Sequence, residues 1–199
     1  MTAPSSRRDA APTEKTKGTI PVKYKGTCDS PLGRILLAAD DEGLTGLWFT
    51  ENQRYLALGL SEDAEERPSP YFDEARRWLE IYFSGRDPGF TPALHLVGSP
   101  FRNRVGELML KIPYGHTTTY GELARELARE RGAAHMSSQA VGGAVARNPI
   151  SLIIPCHRVV GTDGSLTGYG GGIERKQALL RLESAYEDRF FAPKPCAEK

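Results

Sequence analysis

The sequence predicts an α/β (α+β) protein, with a small N-terminal domain of antiparallel strands plus a helix and a mostly helical C-terminal domain. Three observations carry this prediction. Apolar runs at 34–39 and 44–49 flank Asp40-Asp41-Glu42-Gly43, a typical hairpin loop. Phe72, Ala75, Trp78, Leu79 and Tyr82 recur at helical spacing over 71–83. Residues 100–146 hold three successive helical patterns, the later two with capping signals.

The 199 residues suffice for one domain or two small ones with a real core. Residues 1–19 are rich in Ala, Pro, Ser, Thr, Lys and Arg without apolar period, and read as a disordered tail. The N-terminal domain is expected over 20–96. Within it Pro31-Leu32-Gly33 is a turn, and 52–70 reads mostly as loop with a short helix near 53–60. Gly85 stops the 71–83 helix. A Pro- and Gly-punctuated linker over 84–100 then leads to a C-terminal domain at 97–185, and 186–199 reads as a second tail.

In the C-terminal half, Phe101, Val105, Leu108, Met109 and Ile112 share one face of a helix that Pro113-Tyr114-Gly115 ends. Thr119-Tyr120-Gly121-Glu122 caps a helix over 122–130. Ser137-Ser138 caps another over 139–146, which stops at Asn148-Pro149. Two short helices joined by a Gly-containing turn form the pattern of a helix-turn-helix, although many such pairs merely pack. Ala140, Gly142, Gly143, Ala144 and Ala146 leave the last helix nearly bare on one side. Glycines inside a helix cost about 1 kcal/mol each. Tight helix packing or a narrow groove would explain that cost. A glycine-rich loop follows at 161–172 with Tyr169 as its one aromatic, and no phosphate-binding fingerprint accompanies it. The final helix, over 174–183, turns Ile173, Leu179, Leu180 and Leu182 inward.

No apolar stretch is long enough to span a membrane, and no apolar N-terminal segment resembles a secretory signal. Cys28, Cys156 and Cys196 are too few and scattered for a disulfide framework, which favours a reducing cytosol. Four histidines without a C-x-x-C argue against a structural zinc. Cys28 reads as structural and Cys196 as exposed. Residues 20–99 hold 8 Lys/Arg against 13 Asp/Glu, whereas 100–183 hold 11 against 7. The basic half permits an anionic partner without establishing one.

The most informative segment is 150–161, Ile-Ser-Leu-Ile-Ile-Pro-Cys-His-Arg-Val-Val-Gly. Its short apolar runs read as buried strand or core segment. They carry a thiol, an imidazole and a guanidinium into or beside the core, where polar groups are costly without partners or a task. A buried structural cysteine and a reactive one both fit this spacing. A reactive thiol needs a base or nearby positive charge. On an extended segment Cys156 and His157 point to opposite faces, so a direct hydrogen bond requires a turn, or else a bridging water. Pro155 holds Ile154 extended. Arg158 could pin the loop to a carboxylate, and Glu183 is one candidate among several to orient His157.

Pro155-Cys156-His157-Arg158-Val159-Val160 resembles the active-site signature of O6-alkylguanine-DNA alkyltransferases, the methylated-DNA–protein-cysteine methyltransferases. Ile112-Pro113-Tyr114-Gly115, Thr119-Tyr120-Gly121-Glu122-Leu123-Ala124, Ala140-Val141-Gly142-Gly143-Ala144, Asn148-Pro149 and Leu166-Thr167-Gly168-Tyr169 are similar to that family's motifs in order and spacing. The likeness covers roughly 100–185; the N-terminal half resembles the variable domain more weakly, through Asp29-Ser30-Pro31-Leu32-Gly33 and the helix that follows.

The resemblance implies DNA repair by direct, single-turnover transfer of an alkyl group from O6-alkylguanine, with O4-alkylthymine a further substrate. The partner is double-stranded DNA. A minor-groove, winged-helix-like helix-turn-helix binds it, and the lesion base is flipped into a pocket. The protein would be a cytoplasmic, nucleoid-associated monomer (nuclear in a eukaryote), with no cofactor, no metal and no membrane association. By position, Cys156 is the acceptor, His157 the base acting through water, Glu183 its support, and Asn148 the brace of the turn. Tyr120, Tyr169, Gly170 and Val159 would contact or wall the substrate, with the Gly170 N–H near O6. Ser138, Gln139, Gly142, Gly143 and Arg147 would meet DNA.

Two positions depart from the family pattern. Gln139 stands where an intercalating Arg is usual, and Gly106 where a Trp is usual. They make a non-catalytic lesion-binding or sensing protein the alternative reading. A Cys–His hydrolase is a third class, disfavoured by the lack of an oxyanion device beyond the glycine loop.

Overall fold

The computed structural model describes residues 24–51, 60 and 63–192. The N-terminal tail over 1–19, Cys196 and, except for residue 60, the helix expected near 53–60 lie outside the described residues.

β1 (Tyr24–Cys28), β2 (Ile35–Ala39) and β3 (Leu44–Phe49) form an antiparallel meander, and β4 (Glu65–Glu66) joins β1 in parallel, for a sheet order β3-β2-β1-β4. The β1–β2 turn closes through the Gly33 N–H to Ser30 O, with Gly33 at φ +116°. In the β2–β3 hairpin Asp40 accepts from the amides of Glu42 and Gly43, an aspartate-stabilised turn. Every residue of β2 and β3 is buried, so both faces of this hairpin are covered. α1 (Pro70–Phe83) covers one face with the five side chains its spacing predicts. Gly85 follows it at φ +80°, a conformation that ends helices.

Residues 84–99 carry no helix or named strand, yet they are bound to the body. Trp78 Nε1 donates to Phe90 O, and Leu44 exchanges hydrogen bonds with Ala93 and His95. α2 (Pro100–Leu110) begins at an N-cap Ser99. α3 (Tyr120–Glu130) follows the two-residue β5 (Thr118–Thr119), and Thr119 with Glu122 forms a complete capping box. α4 (Ser138–Val145) is capped by Ser137 and packs on α2 and α3. β6 (Val159–Val160) pairs in parallel with β5, and α5 (Ile173–Leu182) closes the fold.

One core runs through both halves, from Leu37 and Phe72 to Leu127, Val141 and Leu179. The outer edge of β3 is the seam. Leu47 N–H donates to Pro149 O, and Ser151 N–H donates to Leu47 O, both at 2.9 Å. Gly106 faces Leu96 and Ile154, and a Cβ there would sit 3.5 and 3.8 Å from their methyl carbons. These two side chains occupy the space that a large residue at 106 would need.

Two expectations are corrected. Residues 150–155 are core but not strand. Only Ile150 bridges to Leu47, and the chain then turns, with Leu152 at φ +69°. β-branched runs look alike whether paired in a sheet or coiled in a core; here the turn's own amides and the Asn148 side chain replace sheet partners. Nor is 186–199 a free tail along its first part. Phe190 is buried with Val160, Leu166 and Leu180, while Phe191 exchanges backbone hydrogen bonds with Gly164 and Leu166. Apolar burial of one phenylalanine and pairing beside the other dock residues 186–192.

Candidate active site

Cys156, His157 and Arg158 form a single 3₁₀ turn between the coiled core segment and β6, and all three side chains are buried. The turn answers the geometric difficulty of an extended Cys–His pair, because both side chains can now serve one centre. Asn148, buried just after α4, ties the approach together. Its Nδ2 lies 2.8 Å from Ile154 O, 3.3 Å from Ile150 O and 3.2 Å from Cys156 Sγ, while its Oδ1 accepts from the Ile150 amide at 3.1 Å. One amide therefore links the exit of α4 to the thiol.

Behind the turn sits Glu183, the residue that ends α5. Its Oε1 lies 2.7 Å from His157 Nε2 and accepts from Tyr82 Oη at 2.6 Å. Arg158 donates to both carboxylate oxygens, at 2.8 and 3.1 Å, and to Ile112 O at 2.7 Å. Burial alone would raise the Glu183 carboxyl; the bonds and charges of His157 and Arg158 outweigh it and hold the group at about 2. Burial keeps the His157 imidazole below its ordinary value and so neutral, with the Glu183 carboxylate opposing that shift. With Nε2 donating to Glu183, Nδ1 is the accepting nitrogen, and it is buried with no hydrogen-bond partner among the described residues.

Burial raises the Cys156 thiol, opposed by the Asn148 hydrogen bond, the Lys176 charge and nearby amides. Lys176 is fully buried and donates to Val159 O at 2.6 Å and Thr167 O at 2.9 Å. Burial lowers its ammonium to about 8, with Cys156 pulling the other way. Thr167 O also accepts from Tyr120 Oη at 2.8 Å. Tyr169 is buried, its ring edge-on to His157 with centroids 6.3 Å apart and its hydroxyl without a hydrogen-bond partner among the described residues. Val159 lies in β6, and Gly170 lies in the turn beyond Tyr169.

Of the residues expected at DNA, Ser138, Gln139 and Arg147 are exposed on or just after α4. Gly142 faces the Tyr120 ring, and Gly143 O accepts from Arg147 at 3.0 Å. Sequence reasoning missed Tyr82 and Lys176 as members of the cluster. Both stand at helical positions that face the core, where a hydroxyl or ammonium must find a partner, and that placement was the available signal. Among the described residues no group of three or more His, Cys, Asp or Glu side chains is placed to hold a metal ion, and no helix is long and apolar enough to cross a membrane.

A helix-turn-helix whose second helix is tied through Asn148 to a buried thiol, with a His–Glu pair behind that thiol, fits the class of DNA-binding proteins that carry a reactive cysteine. Two family models match the chain. The 6-O-methylguanine DNA methyltransferase DNA-binding domain covers residues 100–185, and that family's ribonuclease-like domain covers residues 23–96. The chain belongs to the 6-O-methylguanine DNA methyltransferase family. It is 40% identical to the methylated-DNA–protein-cysteine methyltransferase of Methanosarcina acetivorans over 81% of this chain and 99% of that one. With the Mycobacterium bovis protein of the same name the identity is 44%, over 80% and 91%. The Mycobacterium tuberculosis OGT solved in complex with DNA superposes with a TM-score of 0.66 at 40% identity, covering 84% of this chain and 94% of that one.

Proposed function

We propose that this protein repairs DNA by transferring the alkyl group of O6-alkylguanine to Cys156 in one irreversible turnover. Family membership and the acceptor cysteine support this reading over a lesion sensor. The observation that carries it is the buried His157–Glu183 pair at 2.7 Å, with His157 next to the thiol on the same turn and Glu183 behind it at the end of α5.

The chemistry follows from these groups. His157 takes the thiol proton at Nδ1, through a water, while its Nε2–H stays on the Glu183 carboxylate. The Cys156 sulfur attacks the O6-alkyl carbon, the S–C bond forms, and the C–O bond breaks with its electron pair passing to O6. Guanine takes up one proton on leaving, which balances the proton lost by the thiol. The product thioether cannot be reversed by the same groups, so each molecule acts once. Asn148 braces the turn, Tyr120 contacts the flipped base, and Tyr169 with Val159 walls the pocket. The Gly170 N–H supports charge on the leaving oxygen. Ser138, Gln139, Gly142, Gly143 and Arg147 form the DNA face, with the bare side of α4 suited to the narrow minor groove.

In this reading residues 20–96 form the supporting domain and 97–185 the DNA-binding transferase domain. The protein acts as a cytoplasmic monomer and needs no cofactor. Intact-mass measurement after incubation with O6-methylguanine duplex tests it. A gain of one methyl, absent in Cys156→Ala, is expected; binding with no mass gain would overturn the transfer and favour the sensor.

A further inference from the structure

Arg175, in the first turn of α5, reaches three separate parts of the chain at once. Its Nε donates to Leu32 O at 2.7 Å, one terminal nitrogen donates to Gly171 O at 3.1 Å, and the other meets Glu51 Oε2 at 2.8 Å. Its guanidinium carbon lies over the Phe49 ring, 4.5 Å from the centroid, a cation–π contact. Leu32 belongs to the β1–β2 turn, Phe49 ends β3 and Glu51 follows it, while Gly171 lies in the glycine loop. The local sequence is built for this approach. A Cβ at Gly33 would sit 2.9 Å from Glu51 Oε1 and 3.0 Å from the Arg175 guanidinium.

The same contacts lead to the pocket wall. A Cβ at Gly171 would lie 2.6 Å from the Tyr169 ring and 3.2 Å from the Phe49 ring, so the loop backbone is pressed between the two aromatics. Tyr169 in turn stands edge-on to His157. Among the described residues its hydroxyl has no hydrogen-bond partner. The loop that carries it is held through its backbone: Gly171 O accepts from Arg175, and Gly172 N–H donates to Tyr169 O at 3.2 Å.

We infer that Arg175 is a positioning residue that sets the size of the alkyl group the site accepts, by clamping the Tyr169–Gly171 loop to the N-terminal sheet. The inference rests on the transfer reading above. With the clamp in place the Tyr169 wall is held close to the thiol and favours small alkyl groups. Without it the loop backs away, large groups enter, and small ones are held less well for attack. The planar fork of arginine makes all three bonds from one group; lysine, a single point donor, cannot.

Single-turnover rates on duplexes carrying O6-methylguanine or O6-benzylguanine test this, in the parent protein, Arg175→Ala, Arg175→Lys and Glu51→Gln. For Arg175→Ala the benzyl-to-methyl rate ratio should rise by about fivefold or more, a range that changes in pocket fit produce. Arg175→Lys should fall between it and the parent. Glu51→Gln removes only the exposed ion pair, keeps the fold, and should shift the ratio the same way by a smaller factor. A general loss of stability would lower both rates together and leave the ratio unchanged. An unchanged ratio in both Arg175→Ala and Glu51→Gln overturns the inference, and if Arg175→Ala does not fold, Glu51→Gln decides alone. A parent protein that takes up neither alkyl group overturns instead the transfer reading on which it rests.

Discussion

Tyr82 Oη lies 3.2 Å from His157 Nε2, and both groups meet the same carboxylate oxygen of Glu183. A helix of the N-terminal half thus supplies a polar group to the centre formed by the C-terminal half. Burial, followed by the Glu183 charge and hydrogen bond, pushes the Tyr82 phenol well above its ordinary value, so it serves as a fixed donor. Tyr82→Phe removes one donor from a carboxylate that keeps Arg158 and His157. The expected cost is about 1.5–3 kcal/mol in stability, the range for a hydrogen bond to a charged group, measured by urea unfolding. The transfer rate should fall by less than in His157→Ala, since the accepting nitrogen survives.

Acid should unfold the protein partly through Glu183. Its folded value of about 2 lies below the ordinary 4.5. A depressed carboxyl stabilises the fold above its unfolded value, and the stabilisation is lost as pH falls from about 4.5 toward about 2. His157 adds a loss of the same sign that begins below its ordinary 6.5, because its neutral form is the folded one. Glu183→Gln should be less stable at neutral pH, with Arg158 left unpaired, and its stability should depend less on pH across the lower window. Unfolding free energies at stepped pH give that slope; identical slopes would remove Glu183 from the account.

Lys176 lowers the thiol of Cys156 against the rise that burial imposes. Lys176→Met should therefore shift the pH profile of Cys156 alkylation by a small haloacetamide to higher pH. It should also cost stability, since Val159 O and Thr167 O lose a buried donor. A lowered melting temperature with an unmoved alkylation profile would mean that the ammonium acts only as a brace.

Gln139 is exposed in the first turn of α4 and offers a short neutral side chain where the family pattern has an arginine. Gln139→Arg should tighten duplex binding and speed transfer on duplex, with the free base affected less. Equal duplex rates for the two proteins would contradict this.

Gly106 has room for a methyl group, because a Cβ would make ordinary contacts with Leu96 and Ile154. Gly106→Ala should stabilise the protein by about 0.5–1 kcal/mol through helix propensity, seen as a higher melting temperature. Gly106→Trp should destabilise it, since those two side chains already fill the site.

Where a residue's role is local, it was legible in the sequence. The Thr119–Glu122 capping box, the Asp40 hairpin and the apolar face of α1 each depend on spacing within a few residues, and each forms where its pattern stands. The selection of Glu183 rather than another carboxylate was not legible from spacing, because it depends on how α5 docks across 25 residues on Arg158. The 150–155 run misled for a related reason. Its β-branched composition reports burial, whereas its turning is enforced by Asn148, whose amide has no periodic signature. Spacing places Tyr82 on the apolar face of its helix and says nothing of Lys176, and the polar ends of both matter only once distant segments meet them. The pairing of residues 186–192 with the glycine loop is likewise non-local, and only Phe190-Phe191 hinted at it.

The seam at β3 has a consequence for solubility. An uncovered strand as apolar as Leu44–Phe49 would offer its free amides and carbonyls to any other chain, a known route to aggregation. Residues 93–95 and 149–151 occupy that edge instead, and the second of these leads directly into the nucleophile turn. The lead-in to the cysteine therefore doubles as a guard on the strand. Any motion large enough to free the reactive turn from the body would also uncover a sticky edge, so the same few hydrogen bonds oppose both precipitation and loss of the acceptor's geometry.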